Sequence, residues 1–203
     1  MAVSRTKVEQ GELTRAALLT AATEIFTEKG YAETSTEEIV QRARVTRGAL
    51  YHHFAGKDAL FLAVVERLQD GIRERVVAAA ASAADPLARL TAGMETFLDA
   101  CCEPAVRRIV LMEGPSVLGW AVWHEIDARC GRDLMIRGFK AAMRSGHVRR
   151  QPAEPLTDLF YGALTQAAMV VAHADDAELA RKEMGAAVRR LLRALRSDAV
   201  GAA

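Results

Sequence analysis

The stretch STEEIVQRARVTRGALYHHFAGK, residues 35–57, decides the fold of this chain. Ser35 can accept a hydrogen bond from the backbone amide of Glu38, whose carboxylate reaches back to Ser35, and such a capping box opens a helix. Thr46 offers a second N-cap, and the Ala55-Gly56 pair ends the helix that follows. The stretch therefore predicts two short helices joined by a tight turn.

Long helices are predicted on both sides of this pair. A helix over residues 7–29 is expected because its apolar residues share one stripe and Gly30 supplies a C-terminal stop. Apolar residues at helical spacing predict another helix over residues 57–83. Prolines and glycines then separate further predicted helices at residues 86–103, 104–112, 118–145, 155–174 and 176–196. Because strand-like alternation is absent, the predicted class is all-α.

The composition is that of a soluble globular protein. Its 203 residues suffice for one sizeable domain or a small head on a larger body. The 51% of hydrophobic and 26% of charged residues exclude a disordered or collagen-like chain. No run of 18 apolar residues, signal peptide or basic amphipathic helix occurs, so a cytoplasmic protein without membrane association is expected. Cys101, Cys102 and Cys130 fit no metal-ligand spacing and are expected to be reduced.

Positive charge is concentrated in one place, although the whole chain carries a net charge of only +1. Residues 40–57 contain four basic side chains, two histidines and no acidic residue. Two short helices joined by a tight turn form a helix-turn-helix unit, whose second helix lies in the major groove of DNA. The motif and its charge together favour DNA binding.

A longer pattern surrounds the two short helices. It consists, in order, of Gly30-Tyr31, Thr34-Ser35-Thr36, Ile39, Ala43, Val45-Thr46, Gly48-Ala49-Leu50-Tyr51, His53-Phe54 and Lys57-Asp58-Ala59-Leu60. In this order and spacing the chain resembles the N-terminal DNA-binding domain of the tetracycline-repressor family over residues 12–65. Beyond residue 65 only the all-helical plan is similar.

The resemblance implies roles for individual residues. Those implied to bind backbone phosphates are Thr36, Tyr51, His53 and Lys57. Those at the base-facing positions are Arg47, Gly48, Ala49 and His52. Among the latter, Arg47 alone has the forked guanidinium that can donate to both O6 and N7 of guanine. The amides of the helix start at Thr46 can also hold a phosphate.

Two positions depart from what a DNA-binding surface ordinarily requires. Arg44 stands where the family usually has glycine, and a positive φ there costs about 1 kcal/mol. Either the turn is adjusted, or Arg44 tolerates the strain while adding a phosphate contact. Glu37 repels phosphate unless it accepts a hydrogen bond from cytosine N4, and it can equally act as a first-turn helix stabiliser.

The domain prediction is a DNA-binding head over residues 1–56 and a helical regulatory, ligand-binding and dimerisation body over residues 57–203. Two heads are needed to contact successive major grooves about 34 Å apart, so a homodimer on a palindromic double-stranded operator is expected. The last two helices are the predicted interface, in agreement with the resemblance. Its residues are Phe160, Leu164, Ala167, Val171, Met184, Val188, Leu191 and Leu195. The alternative is that the apolar stripes of these two helices pack only against the core of their own subunit.

The middle helices are rich in large and polarizable side chains, which suit an apolar pocket with few polar anchors. The candidate ligand-binding residues are Phe97, Cys101, Arg108, Met112, Trp120, Trp123, His124, Phe139, Tyr161 and Gln166. An unknown, largely apolar effector that favours wrongly spaced heads would release the protein from DNA, with helix 57–83 connecting head and body. The expected function is thus a homodimeric repressor relieved by ligand.

Two alternatives compete with this function. A ligand-independent regulator would use its body only for dimerisation or protein interaction. An enzyme would need the trio His124, Asp127 and Cys130, but steps of three residues spread these side chains around a helix. Because no Gly-rich phosphate loop or His-rich metal motif occurs either, neither catalysis nor a cofactor or metal is expected.

Overall fold

A computed structural model describes residues 7–197. Its elements are α1 (Lys7–Lys29), α2 (Thr36–Ala43), α3 (Arg47–His53), α4 (Lys57–Ala81), α5 (Pro86–Cys101), a π-helical segment (Val106–Glu113), α6 (Gly114–Leu118), α7 (Trp120–Arg144), α8 (Ala153–His173) and α9 (Ala177–Ala194). No β-strand occurs within residues 7–197, and the predicted all-α class is confirmed.

The head is a small bundle of α1, α2 and α3 closed by the first turns of α4. Leu18 and Phe26 of α1 are fully buried against Leu50 of α3 and Phe61 of α4. The rings of Phe26 and Phe61 meet edge to face with centroids 5.1 Å apart. The head therefore does not end where α4 begins, because α4 supplies part of its core.

The body is built from the rest of α4 together with α5, α7, α8 and α9. Asp85 caps α5 by accepting hydrogen bonds from the amides of Leu87 and Ala88, at 2.9 and 2.8 Å. Pro86 occupies the first turn, where its missing N–H leaves no bond unmade. Leu98 and Phe139 are fully buried in the core between α5, α7, α8 and α9.

The segment after α5 differs from its prediction. Residues 104–112 were expected to form an ordinary helix followed by a break, but Val106–Glu113 is π-helical and runs into α6. In the π register the carbonyl of Val110 would accept from residue 115, which is proline and has no N–H. The indole Nε1 of Trp123 donates to that carbonyl instead, at 2.7 Å.

Other predicted boundaries hold to within two residues. The predicted end of the fourth helix at residue 83 falls at Ala81, and the predicted start of the eighth at residue 155 falls at Ala153. Cys101, Cys102 and Cys130 form no disulfide. Within residues 7–197, no helix is both long enough and apolar enough to cross a membrane.

Candidate DNA-binding face and ligand cavity

The turn between α2 and α3 is closed by backbone hydrogen bonds around Arg44. Arg44 is left-handed, with φ 55° and ψ 41°, and its amide donates to the carbonyl of Gln41 at 3.1 Å. The Val45 amide donates to the Val40 carbonyl at 3.0 Å, which completes a Schellman motif. Of the two possibilities raised by the sequence, Arg44 tolerates the strain. Its side chain is exposed on the outside of the turn.

Helix α3 is anchored by one side and open on the other. Leu50 is fully buried in the head core, whereas Arg47, Gly48 and His52 are exposed and Tyr51 is 46% exposed. Three of the four predicted base-facing residues therefore lie in solvent, and the fourth, Ala49, is half-buried. Because residues 47, 48, 51 and 52 belong to successive turns of one short helix, the structure leaves this face free for a partner.

Arg47 is held by neighbours on its own surface. Its guanidinium donates to Glu37 of α2 at 3.0 Å and lies 5.6 Å from the centroid of the Tyr51 ring. Hydrogen bonding to Tyr51 and the charge of Glu37 raise the pKa of Arg47. Glu37 therefore acts in the free protein by positioning Arg47, a use of this acid that its place in the first turn of α2 did not reveal.

Lys57 has a structural contact as well as a predicted phosphate contact. Its ammonium donates to the carbonyls of Tyr31 and Thr34, at 2.9 and 3.0 Å, and lies 4.2 Å from the Tyr31 ring centroid. Since an ammonium has three donors, one remains for another acceptor. The Tyr31 hydroxyl contacts Asp58, and burial together with this carboxylate raises the pKa of Tyr31 to about 12. Lys57 thus ties the loop before α2 to the start of α4.

The remaining predicted DNA contacts lie beside α3. Thr46 accepts a hydrogen bond from the Ala49 amide at 3.1 Å, so it is the N-cap that the sequence predicts. Thr36 is half-buried at the first position of α2, and Ser35 caps that helix with Glu38 as predicted. His53 is half-buried, with its ring centroid 5.1 Å from that of His52.

The π-helical segment joins the head to the body. Arg108 donates to the carbonyls of Thr27 and Glu28, at 3.1 and 3.0 Å, which are among the last carbonyls of α1. Glu113 accepts a hydrogen bond from the amide of Tyr31 at 2.8 Å and pairs with Arg108 at 3.4 Å. Arg108 and Glu113, here called the junction pair, cap the end of α1 from the body.

The space for Glu113 depends on Gly30, which follows α1 with φ 84°. A Cβ atom at Gly30 would lie 2.3 Å from Oε1 of Glu113. Gly30 thus serves both as the predicted stop of α1 and as the opening through which the junction pair reaches the head.

A cavity of about 370 Å³ lies between α4, α5, α7 and α8. Most of its walls are apolar, with the side chains of Ile72, Met94 and Leu164 among the buried ones. This is the size and character of a small-molecule site.

Only two of the ten predicted ligand-binding residues, Phe97 and Tyr161, line this cavity. The other eight lie elsewhere, and the placement of each has a physical reason. Arg108 belongs to the junction pair, Trp123 is bonded to Val110, and Cys101 and Phe139 are core residues. Exposed on the surface are Met112, Trp120, His124 and Gln166. The prediction identified the type of residue, but helix phase decides which ones face the cavity.

The buried floor of the cavity holds a polar trio, of which Asp127 belongs to the enzyme alternative, Tyr161 is a predicted ligand-binding residue and Gln69 was not predicted. Asp127 of α7 accepts hydrogen bonds from Gln69 of α4, at 3.1 Å, and from the hydroxyl of Tyr161 of α8. Burial raises the pKa of Asp127, and burial together with that carboxylate raises the pKa of Tyr161. The trio ties three helices together at one end of the cavity.

The enzyme alternative finds no support in this geometry. His124 is exposed, whereas Asp127 and Cys130 are buried, and burial raises the pKa of the Cys130 thiol. A thiol with a raised pKa is a poor nucleophile. Within residues 7–197 no group of three or more metal-binding side chains occurs.

The predicted dimer interface must be corrected. Leu164, Ala167, Val171 and Val188 are buried in the chain's own core, so they are not available to a second subunit. Phe160 is half-buried and packs on Phe139, with ring centroids 5.1 Å apart. Met184 and Leu195 are also half-buried, and only Leu191, 51% exposed, lies clearly on the surface. The alternative, that the predicted interface residues pack in their own subunit's core, thus holds for most of them.

A different face of the same helices is open. On α8, Leu159 is 73% exposed and Val170 is 36% exposed, with Ala163 and Gln166 exposed between them. Spacings of four, three and four residues place these side chains on one stripe. Leu191 is exposed on α9, and together these five residues are here called the α8–α9 face.

Comparison with known proteins identifies the family in both parts of the chain. Residues 18–64 match the family described as "Bacterial regulatory proteins, tetR family", and residues 87–195 match "Tetracyclin repressor-like, C-terminal domain". The second match alone covers more than half of the chain.

Curated relatives match over shorter stretches. The transcriptional activator FasR of Mycolicibacterium smegmatis is 40% identical over 85 residues, which are 42% of this chain and 39% of that protein. The A-factor receptor protein of Streptomyces griseus is 29% identical over 120 residues, 55% of this chain and 41% of that protein. The chain thus spans about two fifths of the length of these relatives.

Solved structures match over nearly the whole chain. A regulator of the same family from Pectobacterium atrosepticum is 36% identical with a TM-score of 0.84, and the match covers 96% of this chain and 99% of that one. RolR, solved in complex with resorcinol, is 20% identical with a TM-score of 0.69 over 95% and 97% of the two chains, which shows the fold alone. FasR is named a transcriptional activator and the Pectobacterium protein a transcriptional regulator, and the matching family consists of regulatory proteins and not of enzymes, as the sequence predicted. The chain belongs to the tetracycline-repressor family of DNA-binding transcriptional regulators.

Proposed function

We propose that this chain is a homodimeric repressor that binds a palindromic DNA operator in the cytoplasm and leaves it when a small molecule enters the body. The observation that carries DNA binding is the open face of α3, where Arg47, Gly48 and His52 are exposed while Leu50 anchors the helix. A helix presented in this way fits the major groove.

The proposed DNA contacts are of two kinds: some read base pairs, and others position the protein on the phosphate backbone. Arg47 reads a guanine, after exchanging its bond to Glu37 for bonds to O6 and N7. Gly48 and Ala49 let the helix approach closely, and His52 completes the base-facing set. Phosphates are held by Thr36, Arg44, Thr46, Tyr51, His53 and Lys57. The exposed Arg44 suits this role because its strained backbone holds its side chain on the outer side of the turn.

The division between head and body is proposed to lie within α4, near residue 65, instead of before residue 57. Leu60, Phe61 and Val64 are buried in the head core, whereas Gln69 and Ile72 line the body's cavity. One uninterrupted helix therefore belongs to both parts.

Dimerisation is proposed to use the α8–α9 face. Leu159, Val170 and Leu191 are large apolar side chains left in solvent by the single chain. Two copies of this face would form a four-helix arrangement that removes them from water.

Release by a ligand is supported by the position of the cavity. Its walls include α4 and α7, and α4 also supplies the head core. A ligand that binds better to one arrangement of these helices shifts the population toward it. RolR, which has a similar fold and was solved in complex with the ligand resorcinol, supports a small-molecule site in a body of this kind.

The test is titration of a labelled duplex from upstream of the chain's own gene, with a scrambled duplex of equal length as control, at several salt concentrations. Preferential binding with a steep salt slope is expected from phosphate contacts plus base reading. Equal affinity for both duplexes, together with no enrichment of any sequence from random fragments, would contradict a sequence-specific regulator. If the protein binds its operator specifically and no ligand of the body changes that affinity, the body serves only for dimerisation.

A further inference from the structure

The hydrogen-bonding capacity of the cavity divides into two regions. At the buried floor both carboxylate oxygens of Asp127 are occupied, one by Gln69 and the other by Tyr161. Thr165, also on the wall, hydrogen-bonds to Tyr161. The polar groups of the floor therefore satisfy one another.

The mouth of the cavity is different, because its polar groups are cationic and largely unbonded. At the end of the cavity where α4 finishes, the exposed lining residues include Arg89 of α5 and Arg137 of α7, whose chain neighbours Leu90 and Gly138 lie against each other. Arg89 donates through Nε to the carbonyl of Ala83 at 3.3 Å. Among residues 7–197, no carboxylate lies within 4.0 Å of these two guanidinium groups, and no hydrogen-bond or ion-pair partner is present for Arg137.

The apolar region between floor and mouth is elongated. Asp127 and Arg137 lie on the same helix, ten residues apart, which corresponds to about 15 Å along α7. Val76 and Met94 are among the apolar side chains along this path. A ligand that fills the cavity would thus bury an elongated apolar chain and reach the arginines with one end.

We propose that the effector is an amphipathic organic anion, with an apolar chain along α4 and α7 and its anionic group bound by Arg89 and Arg137. This inference rests on the proposed function, since it names the ligand class of the same cavity. Guanidinium groups bind carboxylates and phosphates through paired charge-assisted hydrogen bonds, and here two border the same end of the cavity. A cationic ligand would meet the same two charges there and is disfavoured.

The test compares three ligands of equal chain length by calorimetry on the full-length protein: decanoate, 1-decanol and decylamine, all below their aggregation limits. Decanoate is expected to bind more tightly than the other two. In the double variant Arg89→Gln/Arg137→Gln the affinity for decanoate is expected to fall about tenfold, with the affinity for decanol unchanged. Tighter binding of decylamine or decanol, or an unchanged decanoate affinity in the double variant, overturns the proposal. Absence of binding by all three also overturns it.

A second variant shows whether binding occurs in the cavity. Gly131 of α7 lines it, and a Cβ atom there would lie 3.8 Å from Tyr161, an ordinary contact. Gly131→Leu adds a helix-favouring residue whose side chain fills the space, so the fold should persist while decanoate binding is lost. Unchanged decanoate binding in this variant means a different site and overturns the proposal.

The operator duplex separates this inference from the proposed function. All variants are assayed for operator binding in the absence of ligand. If wild type binds the operator but no decanoate, the ligand class is wrong while the DNA-binding regulator stands. If wild type binds no operator sequence, the proposed function fails whatever the calorimetry shows.

Discussion

Arg44 combines a strained backbone with a position near the proposed DNA contacts. Its φ of 55° is the one positive value of a non-glycine residue within residues 7–197, and it closes the turn before α3. Arg44→Gly is expected to raise the free energy of unfolding by about 0.5–1 kcal/mol, because glycine adopts this conformation without a Cβ penalty. The same variant should bind all DNA sequences more weakly, with a salt slope lower by about one. Urea denaturation and salt-dependent titration check the two effects, and unchanged DNA binding would show that Arg44 serves the turn alone.

Arg47 and Lys57 are expected to differ in what their loss does to DNA recognition. Arg47→Ala should cost about 1–3 kcal/mol at one base pair and relax specificity there. Lys57→Ala should weaken all sequences similarly, and it also removes the bonds to the carbonyls of Tyr31 and Thr34. Binding to operators substituted one base pair at a time distinguishes the two patterns. Equal losses on specific and random DNA for both variants would contradict the assignment of Arg47.

Asp127 gives the stability of the body a pH dependence. Burial raises the pKa of this carboxyl, so the folded chain holds the proton more tightly than the unfolded chain. The contribution of protonated Asp127 to the free energy of unfolding is full below the unfolded-state pKa of about 3.9. It is lost as pH rises through the higher pKa of Asp127 in the folded chain. Asp127→Asn keeps polar partners for Gln69 and Tyr161 without a titrating group. Its melting temperature relative to wild type should therefore rise between pH 4 and pH 8, and a pH-independent difference would show that Asp127 is ionised throughout.

At the scale of elements, the junction pair is the direct polar link from the body to the end of α1. Arg108→Met removes the bonds to the Thr27 and Glu28 carbonyls and should lower the free energy of unfolding by about 1–2 kcal/mol. Ligand should still bind, but its effect on DNA affinity should shrink. Arg107→Met is the matched control, because Arg107 donates only within the body, to the carbonyls of Ala172 and Ala174 at 2.6 Å each. Equal loss of ligand response in both variants would argue against a specific role of the junction.

Helix positions were predictable from sequence wherever local chemistry decides them. The capping box at Ser35, the N-cap at Thr46 and the stop at Gly30 depend on residues within one or two turns, and all three are present. Beyond residue 65, the prediction gave helices but not their rotation about their own axes. A helix rich in apolar residues on several sides, such as α8, has no single stripe that reveals its partner. Leu164 and Val171 were therefore assigned to the wrong surface.

The cavity escaped prediction for a related reason. Its floor joins Gln69, Asp127 and Tyr161 from three helices, and their separations of 58 and 34 residues in sequence leave no local signal. The π-helical segment also has no simple pattern, since it depends on a proline that lacks an N–H and on a tryptophan that replaces the missing donor. Such features become visible only when the chain is folded.

At the scale of the whole molecule, the proposed dimer can be tested without DNA. Leu159→Glu and Leu191→Glu place charges on the α8–α9 face and should convert a dimer into a folded monomer, because burying unpaired charges at an interface is unfavourable. Val122→Glu, at a residue 45% exposed on α7, is the control. Sedimentation velocity measures the mass of each variant. A wild-type monomer would contradict the proposed dimer, and variants that stay dimeric would place the second subunit on another face.

The length of helix α4 has a geometric consequence for the proposed dimer. It is 25 residues, or about 37 Å, long, and Gln69 stands at its middle, bonded to Asp127. A rigid helix that tilts about its middle moves its two ends by equal distances in opposite directions. A tilt of about 5° moves each end by about 1.6 Å, and in a symmetric pair the distance between the heads then changes by up to about 3 Å. The successive major grooves are about 34 Å apart, so this change in the distance between the heads is enough to misalign one recognition helix while the other stays in its groove. The DNA-binding surface itself does not change.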